Sequence, residues 1–507
     1  MPTNISEYIL NARRFRPKDS SHVLVNDIVD KLARDIALGE NLKQRLHLKF
    51  LILDLYARHK ESPNGWIYFS RDSNFYSLPE GYNSLGIAYR PLIAVTNRLL
   101  LYDMLEDVPG FIDEETGKSF QTRIRPTEEL ISYFQNIPIS EIKETFVHDE
   151  AIRLRTKALK KYKNKQININ KYLKYDETDY TNSIRDQTFF YNETIKHSHI
   201  DLYQINSRAF DSSKIDPTEL RINLNHKSIH RVFNDDFDKG GRFYGAWWQN
   251  IPKILRNNIL IDGEPTIELD FKGFHIALLY AYKGIDYFVD DSRKDPYKVD
   301  GFDRDTVKLL LQTILNSKDE NEAKRGFRQA RYKNYLPPMP NSDLNALIER
   351  FETMHAPIAD YFYKEEGLYL QNVDARIAEH VIESCMKEGV VNLELAKKGI
   401  ELRDKFIVLP IHDSFRVQAK YSDALERTMI QSLETVGREL TYLYDKNFYN
   451  YQPKFSYTEL IDLNALSDDP NYQERASSFR LDGLMPELKI LRKHDKDQDE
   501  DYFKLII

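Results

Sequence analysis

The sequence predicts an α+β fold of more than one domain, and three observations lead there. The chain has 507 residues, more than one hydrophobic core ordinarily serves. Short strand-like stretches, TIEL before Asp270 and KFIVLPI before Asp413, share the chain with long stretches of helical period such as NLKQRLHLKFLILDLYARHK. Glycine is absent between Gly117 and Gly240, and six glycines then fall between Gly240 and Gly284. Glycine marks tight turns and close backbone approach, so the character of the chain changes near residue 240.

Composition narrows the class. The hydrophobic share is 41% and the charged share 30%, ordinary values for a water-soluble chain. No run approaches the roughly 18 apolar residues of a membrane helix, and the opening MPTNISEYILNARRFRPKD lacks the apolar stretch of a secretion signal. Cys385 is the single cysteine, which excludes internal disulfides and cysteine-rich zinc sites and fits a reducing cytoplasm. On a helix it reads as a small buried residue. The net charge of -7 runs against the basic balance common in nucleic-acid binders. Phosphate affinity, however, needs only a local basic lane.

Taken in chain order, residues 41 to about 135 read as one small unit. NLKQRLHLKFLILDLYARHK and AYRPLIAVTNRLLLYDMLED have helical spacing, and FIDEETGKSFQTRIRP reads as two short strands around Thr116-Gly117-Lys118. Helices followed by a hairpin resemble a winged helix, whose second helix would turn Arg90, Asn97 and Arg98 toward DNA. A plain helical accessory domain fits the same pattern. Next, AIRLRTKALKKYKNKQININKYLKY, residues 151–175, holds nine Lys or Arg and no acid. It is either a lane for phosphates or a solvated helix face. The rest of 140–235 is rich in Asn, Lys and Tyr, with mixed helical signals and no assignable chemistry.

The chemistry concentrates after residue 240. In IDGEPTIELDFKGFHIALLYAYKG, Gly263 makes a turn, TIEL delivers Asp270 at a strand end, and HIALLYAY runs on as an apolar helix. Taken alone, Asp270 reads as a turn or N-cap residue. In KFIVLPIHDSFRVQA, His412-Asp413 forms a tight turn between a buried strand and a returning strand. A buried acid there costs several kcal/mol unless a cation or donors compensate it. Between these lies DRDTVKLLLQTILNS, where Arg304, Lys308 and Gln312 recur four residues apart on one helix stripe, while Leu309, Leu310 and Leu311 half-bury the helix. The three pieces meet the needs of phosphoryl transfer to a 3′-hydroxyl. Two carboxylates bridge divalent ions roughly 3.5–4 Å apart, and a cationic stripe takes the departing diphosphate. Magnesium suits such hard oxygen ligands, with manganese a compatible substitute.

The order and wording of these segments resemble family A DNA polymerases. GGRFYGAWWQNIP, residues 240–252, resembles that family's T-G-R-L-S-S…P-N-L-Q-N-I-P, with Arg242, Gln249, Asn250, Ile251 and Pro252 matching. The resemblance makes Arg242, Gln249 and Asn250 contacts to a template–primer duplex. ELDFKGFHIALLYA resembles motif A, with Asp270 as a metal-binding acid and the carbonyl of Phe271 as a further ligand. DRDTVKLLLQTILNS resembles motif B, R-x3-K-x3-F/Y, with Arg304 and Lys308 as the triphosphate pair. YLQNVDARIAEHVI resembles the helix reading M-Q-G-T-A-A-D-I-I and offers Gln371 as a duplex contact. PIHDSFRV resembles motif C, with His412 and Asp413 matched. Five motifs in order, from Gly240 to about Lys420, make a specific signal, with QNIP and HD its sharpest parts.

The departures are equally readable. Ser414 follows HD where that family has a third acid, Gln312 replaces the aromatic that stacks on the incoming base, and His275 replaces the motif A glutamate. There is no sign of proofreading or flap-nuclease domains. HDSF and the VKLLLQTILN spacing also resemble single-subunit phage-type RNA polymerases, a related palm. The resemblance therefore implies a right-hand polymerase of α+β class. In that reading 1–140 is a mostly helical accessory domain of possible winged-helix type, and 141–235 is thumb-like. Residues 236–465 are the palm, with fingers at about 285–350, and 466–507 are a charged C-terminal extension. It implies DNA and nucleoside triphosphates as partners and two magnesium ions as cofactor, with Asp270, Asp413, Lys308 and His412 catalytic. Arg304, Lys308, Gln312 and His275 would face the nucleotide. An RNA polymerase or primase-like enzyme is one alternative. A DNA-binding regulator with an inactive palm is another, to which the serine of motif C, Gln312 and the acidic balance belong.

Overall fold

The computed structural model describes residues 12–20, 22–79, 82–83, 85–112, 119–134, 144–146, 150–162, 165–203, 219–289, 295–334, 336–391, 397–399, 403–444, 453–458, 472–482, 485, 488–493 and 502–506. Helices and strands are mixed throughout, as an α+β chain requires. The buried apolar residues gather into two large clusters, one within residues 15–134 and one within 191–485, with a small cluster around Ile152, Leu154, Ile184 and Phe233.

The first cluster is built from β1 (Ala12–Arg14), α1 (Val23–Asp35), α2 (Leu42–Glu61), β2 (Trp66–Phe69), α3 (Tyr89–Leu101), β3 (Leu105–Val108) and β4 (Thr122–Pro126). The strands form a sheet in the order β1-β2-β4-β3. The Asn41 side chain caps α2 by accepting from the Gln44 amide at 3.2 Å. Beyond the cap the helix is buried on nearly all sides, including Asp54, Arg58 and Glu61. Those charges are matched internally. Arg13 donates to Asp54 at 2.7 Å and to Glu61 at 3.1 Å. The strands expected after the second helix exist, Phe111–Ile112 pairing with Ser119–Phe120. The turn at Gly117 lies outside the described residues. The three residues expected to face DNA divide. Arg90 is exposed, Arg98 donates to the Ala37 carbonyl at 2.6 Å, and Asn97 accepts from Arg71 at 3.3 Å. A four-stranded sheet behind the helices is more than a bare helical unit with a wing.

The basic segment is a β-hairpin, not a helix face. In it β5 (Ile152–Tyr162) pairs antiparallel with β6 (Lys165–Tyr172). Its β-branched and alternating residues, as in QININ, fit a pleated surface better than a helix. Helix α4 (Asp179–Lys196) follows, opened by Thr178, which accepts from the Thr181 amide at 3.1 Å.

The second cluster surrounds an antiparallel sheet. Strand β7 (Ile200–Leu202) belongs to that sheet, whereas β8 (His230–Asn234) and β9 (Asp236–Tyr244) join the basic hairpin in the order β6-β5-β8-β9. Strands β10 (Ile259–Ile261) and β11 (Glu264–Phe271) are joined by Asp262 (φ 52°) and Gly263 (φ 84°), a pair with positive φ as in a type I′ hairpin. Apolar α5 (Phe274–Tyr282) follows. Helices α6 (Arg304–Leu315), α7 (Glu320–Lys333) and α8 (Asn341–Met354) form a helical excursion, and α9 (Gly367–Ile382) packs against β9. Strands β12 (Leu409–Ile411) and β13 (Ser414–Gln418), α10 (Ser422–Tyr444) and β14 (Phe455–Tyr457) complete it. The sheet order is β7-β10-β11-β13-β12, with β14 also on β11.

The C-terminal region differs from the loose tail its charge suggests. Tyr502–Ile506 pairs with Leu488–Lys493, which pairs with Glu219–Ile222. YFKLI alternates well enough to add a strand despite the acidic run before it.

The Arg13–Asp54–Glu61 network yields a pH prediction. Burial alone would raise the Glu61 carboxyl, but Arg13, Lys18, Arg58 and Arg16 outweigh it and hold it at about 2, below its ordinary 4.5. A depressed carboxyl contributes stability in full above 4.5 and loses it as pH falls toward 2. Urea denaturation across that window should show wild type losing about 3 kcal/mol from this group, with a shallower acid limb in Glu61→Gln. Parallel limbs would remove Glu61 from the account.

Candidate active site

Two adjacent strands carry the acids. On β11 and β13 the register pairs Asp270 with Ser414, so Asp413 is one residue from the position opposite Asp270. The β12–β13 loop has two residues, since Ile411 pairs with Ser414. His412 in that loop sits in the left-handed region at φ 62°, uncommon for a side chain other than glycine. Its ring lies 5.4 Å from that of Tyr244. The loop thus turns Asp413 back toward β11 between buried strands.

The pair is electrostatically unequal. Burial, then Asp413 and Glu268, push the Asp270 carboxyl up to about 7, against Lys308 and Lys253. Burial would also raise Asp413, but Arg242, His275 and Lys308 win and hold it below the ordinary range. Cations cluster on the Asp413 side, so the shared repulsion falls on Asp270. Asp270 Oδ1 is buried and has no hydrogen-bond donor. A buried carboxylate oxygen with no donor, facing another carboxylate, is a place that a cation relieves. Among the described residues no group of three or more His, Cys, Asp or Glu side chains converges as a metal cluster. Phe271 stands at the end of β11, paired with Phe455, its ring stacked 4.6 Å from Phe274.

The helix stripe faces outward as its spacing implies. Asp303 caps α6 by accepting from the Thr306 amide at 2.8 Å. Val307, Leu310, Leu311 and Ile314 are buried, whereas Arg304, Lys308 and Gln312 are exposed. Arg304 is salt-bridged to Asp295 and lies 4.9 Å over the Tyr297 ring, which Lys308 also faces at 6.0 Å. Lys308 thus stands where its charge reaches both carboxylates.

The residues expected to grip a duplex are engaged within the chain, Arg242 and Gln249 partly buried and Asn250 exposed. Arg242 Nε donates to both oxygens of Asp374, at 2.9 and 3.0 Å. His275 Nε2 donates to Asp374 Oδ2 at 3.0 Å. Gln249 donates to the carbonyls of Phe243 and Pro410 at 3.1 and 3.0 Å, tying β9 to β12. Asn250 donates to the carbonyls of Gly245 and Ala246 at 3.2 and 2.9 Å. A buried guanidinium needs a counter-charge and the backbone of a bend needs donors, and these side chains supply them. Gln371 is half-buried on α9, one turn before Asp374.

Sequence reasoning missed four members of this neighbourhood. Glu268, two residues before Asp270 on the same strand face, accepts from Ser414 Oγ at 2.9 Å and Arg416 Nη2 at 3.1 Å. Asp374 was readable as the helix neighbour of Gln371, three positions on. Asp295 and Tyr297 lie in a loop with no periodic signal. Tyr297 is buried, and burial, then Asp413, raise its phenol.

Asp374→Asn should deprive the Arg242 guanidinium of its hydrogen-bonded counter-charge, leaving it only the charge of Asp413. Breaking a buried pair in this way costs about 3–5 kcal/mol, measurable as a loss of unfolding free energy in urea. A loss under about 1 kcal/mol, the value of an exposed pair, would contradict the clamp.

No family model matches the chain, and no curated protein matches it. Among solved structures, one match is the "POL domain of Pol1 from M. smegmatis complex with DNA primer-template and dNTP". It has 11% sequence identity, covers 85% of this chain and 71% of that chain, and has a TM-score of 0.23. So loose a likeness transfers no residue roles, and those assigned below rest on this chain's own residues.

Proposed function

We propose that the chain is a template-directed nucleotidyltransferase, a DNA polymerase of family A type that works by two-metal-ion phosphoryl transfer. The observation that carries this reading is the placement of Asp270 and Asp413 on register-adjacent strand positions, with Asp270 Oδ1 buried and lacking a donor and the charge of Lys308 reaching both. The β7-β10-β11-β13-β12 sheet is then the palm, the α6–α8 excursion the fingers, and the β5–β6 hairpin with α4 a thumb-like element.

Asp270, Asp413 and the Phe271 carbonyl would hold magnesium. When bound, the ions lower the pKa of the attacking 3′-hydroxyl and neutralise the charge that develops on the departing diphosphate. The protein's own residues position the rest. Lys308 and Arg304 orient the triphosphate from the exposed face of α6, and Arg304 exchanges Asp295 for phosphate. His412 sets the turn that aims Asp413. The Arg242–Asp374–His275 cluster fixes α9 and α5 around the acids, so Arg242, Gln249 and Asn250 shape the duplex-facing surface more than they touch it.

Primer extension with dNTPs and magnesium should lose roughly 10²- to 10³-fold or more in kcat in Asp270→Ala and Asp413→Ala, with the thermal melt still cooperative. Lys308→Ala should raise KM for the triphosphate. Near-wild-type extension by either aspartate variant would overturn the site. Extension absent from wild type itself would favour the regulator with an inactive palm, for which Ser414 in place of a third acid speaks, its hydroxyl donated to Glu268.

His275 bears on sugar choice. Its imidazole is fixed by Asp374 on α5, four residues after Phe271, where it crowds the ribose position without a stacking aromatic at Gln312. His275→Ala should raise ribonucleotide incorporation about tenfold, the scale of one hydrogen bond or contact. Unchanged discrimination would remove His275 as the gate, and a wild type that uses only NTPs would make the enzyme an RNA polymerase.

A further inference from the structure

Apart from the carboxylate site, the molecule encloses a cavity of about 530 Å³ between the N-terminal cluster, α4 and the 225–230 segment. That volume lies within the range of ligand pockets, about 300–1,000 Å³. Its wall combines two kinds of group. Aromatic rings come from the N-terminal unit, among them Tyr68, Phe69, Phe75 and Tyr76. Phe75 is 39% exposed, and Arg14 lies 4.8 Å over its ring, so a flat guanidinium–ring platform stands at the solvent side of the cavity.

Cations are the second kind. Among the described residues, seven Lys or Arg line the cavity and two acids do. Both acids are already ion-paired, Glu61 with Arg13 and Arg58, Glu193 with Lys196. The charged side chains of the lining are thus mostly cationic. A positive, ring-lined space suits a ligand with negative charge and flat apolar faces, which is the chemistry of nucleotides.

Two further observations favour a strand over a free nucleotide. Arg153 of the wall lies on β5, whose continuation carries exposed Lys157, so the positive surface runs out of the cavity along this strand. Gly245 also lines the cavity, next to Tyr244, whose ring lies 5.4 Å from that of His412 in the carboxylate turn. A polyanion laid along β5 from Lys157 would meet the cavity at Arg153.

We propose that this cavity is a second nucleic-acid site, in which successive bases of a single strand stack on the Arg14–Phe75 platform while the cationic wall takes the phosphates. It is a binding site in its own right, and its test reads binding, not nucleotide addition.

The probe is a 5′-fluorescein oligothymidylate of about twelve nucleotides, within the span of single-strand sites, followed by anisotropy on the full chain. Phe75→Ala should weaken binding about tenfold or more, the scale of one stacked base. Arg14→Ala should reduce the salt slope by about 0.7, the share of one phosphate on a single strand. Both residues are surface-exposed, so melting temperatures should match wild type. Wild-type affinity and salt slope in both the Phe75 and Arg14 variants would overturn the proposal. So would a mononucleotide such as dTMP that displaces the labelled strand at equal concentration, because that would make the cavity a nucleotide pocket.

Discussion

The repulsion between two carboxylates held on neighbouring strands organises the rest of the site. Asp270 and Asp413 reach it from opposite directions, one at the end of β11 and the other from a two-residue loop. Nothing in their own strands neutralises both, so the surroundings must. Arg242, His275 and Lys308 gather on the Asp413 side, and Asp270 is left with its carboxyl pushed up to about 7 and one oxygen without a donor. Buried like charges persist only where something compensates them, and in the proposed function a divalent cation would do so here.

The supporting structure follows from that demand. Arg242 can stand beside Asp413 because Asp374 on α9 holds it by both oxygens. Asp374 also fixes the imidazole of His275 on α5. Gln249 ties the strand before the acid loop to the end of β9. Glu268 would add a third charge beside Asp270, but Ser414 and Arg416 from the facing strand engage it. The serine that stands where relatives of the resembled family carry an acid thus has a partner on the neighbouring strand.

Legibility in the sequence divided along physical lines. The strand before Asp270, the hairpin at His412-Asp413 and the amphipathic helix Arg304–Leu315 all rest on local periodicity and turn chemistry, and the structure has each of them. The Asp262-Gly263 turn was readable for the same reason. What a side chain touches across the chain was not readable. Arg242, Gln249 and Asn250 read as outward contacts, yet their partners lie on Asp374, Pro410 and the backbone of the 245–246 bend, which no local pattern reveals. The basic segment 151–175 misled because its charge run resembles a solvated helix, whereas its strand partner β8 is 79 residues away. The cavity was invisible because the 225–230 segment joins residues of the N-terminal unit only in three dimensions.

The most direct measurement is a manganese titration followed by electron paramagnetic resonance, with and without a primer–template and a non-hydrolysable dNTP. The account predicts about two bound ions in the wild-type complex and their loss in Asp270→Asn and Asp413→Asn, with secondary structure and melting unchanged. Equal manganese binding by wild type and both variants would contradict the claim that these two carboxylates form the metal site.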